Sequence, residues 1–183
     1  MRKIESSELI INGDGSIFHL HLRPEQIAEK IILVGDPGRV DLVASHFENK
    51  EFRIANREFV TITGTYKGKR LTVISTGIGT DNIDIVVTEL DALVNVDFNT
   101  REEKREKTQL TLLRIGTSGA LQPDIELGDF LFSRTSVGFD GLLNFSKGRN
   151  DVCALGIEQA FLKHVTRNEL LPTPSLIDAD HSL

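Results

Sequence analysis

Tryptophan is absent from these 183 residues, and tyrosine occurs once against ten phenylalanines. Aromatic platforms for stacking nucleic acid bases are therefore scarce. Positive charge is short as well. Lys and Arg number 21 against 27 Asp and Glu, a net charge of -6, and an acidic surface repels a phosphate backbone. A local cationic pocket within that surface stays open. With Cys153 as the one cysteine, no intrachain disulfide can form, which suits a reducing compartment. CxxC and HExxH metal patterns are missing. No apolar run approaches membrane-spanning length, and Met1 to Ser7 carries charge without the apolar stretch of a leader. Nucleic acid and membrane drop out as partners, and a cytoplasmic protein is expected.

What is present describes a globular chain. It is 39% hydrophobic and 26% charged, of a length that can bury a real core as one domain over residues 1–183. The stretch from Leu110 to Phe132 organises it. An apolar run, Leu110, Leu112, Leu113 and Ile115, is interrupted by Arg114 and breaks into Gly116-Thr117-Ser118-Gly119. A buried strand running into a glycine loop is where an α/β protein places its ligand. Arg114 could hold an anion there, with the glycines letting the backbone approach and the hydroxyls of Thr117 and Ser118 adding hydrogen bonds. An ordinary strand-end arginine paired with one of the chain's acids fits this stretch equally well.

Residues 1–17 read as irregular, with a turn at Asn12-Gly13-Asp14-Gly15. Phe18 to Leu22 alternates like a short strand, which would put His19 and His21 on one face as surface or satisfied polar residues. Pro24 starts a helical turn to Lys30. Ile31 to Val34 is a β-branched strand, ending at Gly35-Asp36-Pro37-Gly38-Arg39. Val40, Val43, Ala44 and Phe47 then have helical spacing, with Asp36 as N-cap and Pro37 at the first position. Arg39 sits against the dipole preference for acids in a first turn, which hints at a ligand anion.

Phe59 to Thr63 and Leu71 to Ser75 read as paired strands around a turn at Tyr66 to Lys69. After Thr76-Gly77-Ile78-Gly79-Thr80 comes an amphipathic helix capped by Thr80 or Asp81. Ile83, Val86, Val87, Leu90, Leu93 and Val94 lie on its buried side. Thr100 to Thr108 is a solvated charged segment. Phe130-Leu131-Phe132 begins a strand, and Asp140-Gly141 is a turn. Residues 151–170 suit a helix with Leu155, Ile157, Ala160, Phe161 and Val165 on its apolar side. Pro172 to Leu183 reads as irregular.

Three apolar strands thus end in glycine loops, at 35–39, 76–80 and 114–119. Parallel strands would bring all three to one sheet edge, where Arg39, Arg114 and backbone N–H groups would converge on a small anion. Glycine as mere punctuation of strand ends is the weaker explanation.

Five segments then carry a resemblance. Phe18-His19-Leu20, Gly35-Asp36-Pro37-Gly38-Arg39, Asn56-Arg57-Glu58-Phe59, Ser75-Thr76-Gly77-Ile78-Gly79 and Arg114 to Gln122 resemble, in order and approximate spacing, the motifs of nucleoside phosphorylases. Those of uridine phosphorylases are the most similar. The resemblance covers about Phe18 to Gly141. It implies an α/β fold, a mixed central sheet flanked by helices in a three-layer sandwich. The activity it implies is phosphate-dependent cleavage of a nucleoside to free base and ribose 1-phosphate, in nucleoside salvage. No cofactor is needed and inorganic phosphate is the co-substrate.

On that resemblance Gly35, Arg39, Arg57, Arg114 and Thr117 bind phosphate, with Arg114 and Thr117 catalytic. Phe18, His19, Thr117 and Gly119 meet the nucleoside, His19 reaching across a dimer interface to the ribose 5′-hydroxyl and Arg57 also serving a neighbour. Dimers, commonly three in a hexamer, are the implied assembly. Some relatives hold a monovalent cation with the acid matching Glu58, but Asn82 stands where a serine is expected, and no metal is assigned. The family extends roughly another domain third beyond Leu183, where the residues for uracil and the ribose hydroxyls should lie, so the chain reads as C-terminally truncated. Two alternatives remain: a nucleosidase using water, and a catalytically incomplete fragment that binds a nucleotide. The base, uracil or purine, is not fixed by these motifs.

Overall fold

The computed structural model describes residues 3–168 and 170–180. The remaining positions, which include residue 169 of the expected 151–170 helix and parts of both expected irregular ends, lie outside the described residues. The chain falls into two compact units, Met1–Ser118 and Gly119–Leu183.

Among the described residues of the first unit, β1 (Lys30–Val34), α1 (Gly38–Ala44), β2 (Asn49–Asn56), β3 (Phe59–Tyr66), β4 (Lys69–Ser75), α2 (Thr80–Asn95), β5 (Val96–Asp97), β6 (Glu102–Glu103) and β7 (Thr111–Arg114) follow in order. Five strands form one sheet in the order β2-β3-β4-β1-β7. β1 pairs in parallel with β4 and with β7, while β2, β3 and β4 form an antiparallel meander. The sheet is mixed, as expected.

Its strands alternate between two cores. Ile31, Leu33, Phe59 and Ile74 join Val86, Leu90 and Leu93 of α2 on one face. Val34, Val60, Ile62 and Val73 join Val40 and Ala44 of α1 on the other. Period-2 side chains thus make a three-layer arrangement, with near-continuous apolar strands because both faces are covered. Inside it, Ala28 N–H donates to Thr72 Oγ1 (2.8 Å), the Thr72 and Thr63 hydroxyls are 2.7 Å apart, and Thr63 Oγ1 donates to the Gln26 carbonyl (2.7 Å). This chain of bonds satisfies polar groups that burial would otherwise penalise.

The turn at 66–69 is a two-residue hairpin with positive φ at Lys67 and Gly68, the twist-compatible kind. The other hairpin, joining β2 to β3, has Arg57 at φ 54. β2 itself was not read from the sequence: its apolar alternation is confined to Phe52 and Ile54, among mostly polar and charged neighbours.

Several expectations change. Phe18 to Leu22 is a turn, closed by Ile17 N–H to the Leu22 carbonyl (2.8 Å) and His21 N–H to the Ile17 carbonyl (3.0 Å), so His19 and His21 do not share an extended face. The turn at Pro24 ends at Gln26, because β1 begins at Lys30. α1 starts at Gly38, one residue later than expected, although Asp36 Oδ1 does accept the Gly38 N–H (2.8 Å). Gly79 at φ 101 precedes α2 in place of a Thr80 or Asp81 cap, and Val87 is exposed. β7 is an edge strand, so Leu113 and Ile115 are exposed rather than buried.

In the second unit, β8 (Thr135–Gly138) pairs antiparallel with β9 (Ser175–Asp178), with short helices α3 (Arg149–Val152) and α4 (Leu155–His164) between them. The expected strand at Phe130 begins only at Thr135, and the segment from Pro172, read as irregular, contains β9. The long helix is split at Cys153, ends at His164, and buries Glu158 while Leu155, Ile157 and Ala160 are exposed. Arg149 explains this: its guanidinium meets Glu158 (2.7 Å), Asn144 Oδ1 (2.7 Å) and the Pro174 carbonyl (3.2 Å). A buried carboxylate needs such a partner.

Gly64 gives a test of the sheet. A Cβ there would lie 2.1 Å from the Asn49 carbonyl oxygen and 2.8 Å from the Phe47 ring. Backbone cannot yield that distance without breaking the β2–β3 ladder, so Gly64→Ala should destabilise the chain by about 3 kcal/mol or more in urea unfolding.

Candidate functional site

Parallel pairing decides where the glycine loops go. β1 is in register with β4 from Ile31↔Thr72 to Val34↔Ser75, and with β7 from Lys30↔Thr111 to Leu33↔Arg114. All three strands therefore end together. Thr76 N–H donates to the Val34 carbonyl (2.8 Å) and Ile115 N–H to the Leu33 carbonyl (2.9 Å), which continues the ladder into both flanking loops.

Gly35 lies at the centre. A Cβ built on it would be 3.5 Å from Arg39 Nη2, 3.8 Å from Arg114 Nη2 and 3.7 Å from the Gly77 carbonyl oxygen. The loops at 35–39, 76–80 and 114–118 thus meet at one point, and two guanidiniums converge there. Among the described residues neither guanidinium has a hydrogen bond or ion pair. Two acids of this loop and of α1 have other contacts, while the Glu58 side chain lies against Gly77. Asp36 Oδ1 takes the Gly38 N–H (2.8 Å) and Asp41 takes Arg53 (3.1 Å). The hydrogen bond from Arg53 holds the Asp41 carboxyl below the usual carboxylate range. Two like charges facing one point without a counter-charge repel each other, and an anion between them removes that repulsion. The alternative reading of Arg114, a strand-end residue paired with an acid, finds no such acid among the described residues. Thr117 follows Gly116 and is exposed; Gly119, the first residue of the second unit, is exposed too.

Gly77 needs to be glycine twice over. Its φ is +67, and a Cβ would lie 2.6 Å from Asn82 Nδ2 and 2.9 Å from Glu58 Cγ. Ser75 Oγ accepts the Val60 N–H (2.7 Å) and donates to the Glu58 carbonyl (2.6 Å), so the 57–58 hairpin is stitched to the end of β4. Asn82, in the place of the expected serine, donates its amide to the Ile78 carbonyl (3.2 Å). Among the described residues no three His, Cys, Asp or Glu side chains are grouped to hold a metal ion.

A second group gathers Phe18, His19 and Arg57. The His19 ring meets Phe18 edge-on at 4.8 Å between centroids, and the Arg57 guanidinium lies 5.7 Å over the Phe18 ring, close enough for a cation–π attraction. Asn56 Nδ2 donates to the His19 carbonyl (2.7 Å), joining the 17–22 turn to the β2–β3 hairpin. Glu89 of α2 anchors this turn. It accepts the backbone N–H of His19 (3.0 Å) and of Leu20 (2.9 Å), and meets His19 Nδ1 at 2.6 Å. Neither Glu89 nor the role of Asn56 was anticipated. The signal for Glu89 was there: three residues after Val86 and one before Leu90, it falls on the helix face that packs against the sheet, where a carboxylate needs partners.

Comparison with known proteins follows the same lines. The family model of the phosphorylase superfamily matches residues 29–182. A uridine phosphorylase of Thermococcus kodakarensis is 33% identical over 141 residues, 77% of this chain and 46% of that protein. A DeoD-type purine nucleoside phosphorylase of Anoxybacillus flavithermus is 38% identical over 119 residues, 64% of this chain and 45% of that protein. The crystal structure of a Trypanosoma brucei nucleoside phosphorylase, which shows uridine phosphorylase activity, matches with a TM-score of 0.76 at 30% identity, covering 85% of this chain and 52% of that one. The chain spans about half the length of these relatives. With motifs, sheet topology and the convergent loops all in agreement, the chain belongs to the phosphorylase superfamily.

Proposed function

We propose that this chain carries the phosphate site of a nucleoside phosphorylase, a pentosyltransferase that cleaves a nucleoside, with uridine the first candidate, to free base and ribose 1-phosphate in nucleoside salvage. The observation that carries this reading is the pair of guanidiniums, Arg39 and Arg114, beside Gly35 and unpartnered among the described residues. Planar guanidiniums suit a tetrahedral oxyanion better than ammonium groups do. Phosphate held there would attack the anomeric carbon as the bond to the base breaks; the base leaves with the bonding electrons and takes a proton. Positioning supplies much of such an acceleration, and the anion also stabilises positive charge developing on the ribose. Arg114 and Thr117 act at the reacting phosphate, Thr117 also reaching the ribose.

Phe18, His19 and Arg57 form a separate block, and we assign it to the site of a neighbouring copy in a dimer, dimers being able to assemble further into a hexamer. Phosphate is the co-substrate, no cofactor is required, and the cytoplasm, which suits a lone cysteine, is the proposed location. A water-using nucleosidase has no need of the guanidinium pair. A second reading is phosphate binding without turnover.

Release of uracil from uridine and of hypoxanthine from inosine, each with and without phosphate, tests the proposal. Phosphate-dependent release from uridine is the expected result. Base release independent of phosphate would replace it with hydrolysis, and phosphate binding without any product would favour the second reading.

Two substitutions test the site itself. Arg114→Ala should weaken phosphate binding roughly 10- to 100-fold by calorimetry, the worth of a charge-assisted contact, while thermal unfolding is unchanged. Gly35→Ala should also weaken phosphate binding with the fold intact, since its Cβ meets only ordinary van der Waals distances yet fills the point where the guanidiniums converge. Unchanged phosphate affinity in either variant would remove the anion from this location.

A further inference from the structure

Glu89 carries more than a structural bond needs. It is 7% exposed, and the three groups it accepts all come from one turn, residues 19–20. One carboxylate oxygen, Oε2, serves the backbone at Leu20 (2.9 Å). The other, Oε1, faces His19 Nδ1 at 2.6 Å. A carboxylate only accepts, so Nδ1 must carry a proton. In the neutral ring that leaves Nε2 with a lone pair. The ring is braced by Phe18 on one side, and its backbone carbonyl is fixed by Asn56. The side chain stays 30% exposed, so the ring is held from behind and open in front.

We propose that Glu89 is a positioning residue that fixes the tautomer of His19, so that Nε2 is presented as a hydrogen-bond acceptor to a donor group of the ligand. The ligand half of this rests on the reading above, in which His19 meets the ribose 5′-hydroxyl. The hydroxyl would then donate to Nε2, and a nucleoside whose 5′ group can only donate would be accepted as well. Glu89→Gln separates this from simple anchoring. The glutamine carbonyl can replace Oε2 and keep the backbone contacts, but its NH2 group then faces Nδ1 as a donor. His19 must move its proton to Nε2, and the outward atom changes from acceptor to donor.

The first measurement needs no ligand. Nitrogen-15 spectra of the histidine rings at neutral pH, with His19 assigned by its loss in His19→Gln, should show Nδ1–H in the wild-type chain and Nε2–H in Glu89→Gln. A wild-type ring protonated at Nε2 alone would overturn the proposal, and this holds even if Glu89→Gln does not fold. The second measurement compares uridine with 5′-amino-5′-deoxyuridine, whose ammonium group only donates. The ratio of kcat/KM for the amino compound over uridine should fall about tenfold or more in Glu89→Gln, because a donor then faces a donor. An unchanged ratio in a folded, active variant would reduce Glu89 to an anchor of the turn. Should the wild-type chain cleave neither nucleoside, the functional reading fails by itself, and the ring spectra still decide whether Glu89 sets the tautomer.

Discussion

The parallel ladder that β1 makes with β4 on one side and β7 on the other is the constraint on which the rest depends. A one-residue slip of β7 would turn Arg114 to the opposite face of the sheet. A slip of β4 would withdraw Gly77 from Gly35. Register is held by what lies on the two faces: Ile31 and Leu33 fit the α2 core, Val34 and Val73 the α1 core. Hydrophobic burial, which has no direction of its own, is converted through strand alternation into the placement of two charges. Among the described residues those charges have no acid paired with them; Asp36 takes the Gly38 amide and Asp41 takes Arg53.

Much of this was written plainly in the chain. Uninterrupted apolar runs such as Ile31 to Val34 mark strands buried on both faces, and Gly35, Gly77 and Gly116 mark where they stop. Helical spacing from Val86 to Leu93 located α2. The convergence of Arg39 and Arg114 followed from assuming the three strands parallel, an assumption the topology satisfies.

What was hidden has a physical cause in each case. Phe18 to Leu22 alternates like a strand, but the turn there is closed by backbone bonds and by a carboxylate 69 residues away in sequence, and local periodicity carries no information on that. β2 lies at the sheet edge, where only one face selects apolar side chains. Leu112 and Leu113 suggested a fully buried strand, yet burial requires neighbours on both sides, and a run of letters does not say whether a strand is central or terminal. Glu158 and Glu89 are buried because Arg149 and the His19 turn are arranged around them, which is tertiary pairing and overrides the preference of acids for solvent.

α2 has a consequence of its own. Its first turn follows directly from the Gly77–Gly79 loop that borders the guanidinium pair, and ten residues further on the same helix presents Glu89 to the His19 turn. At 1.5 Å per residue the two places are about 15 Å apart along the helix axis. The loop that borders the guanidinium pair and the turn that carries His19 are thus tied to one and the same helix.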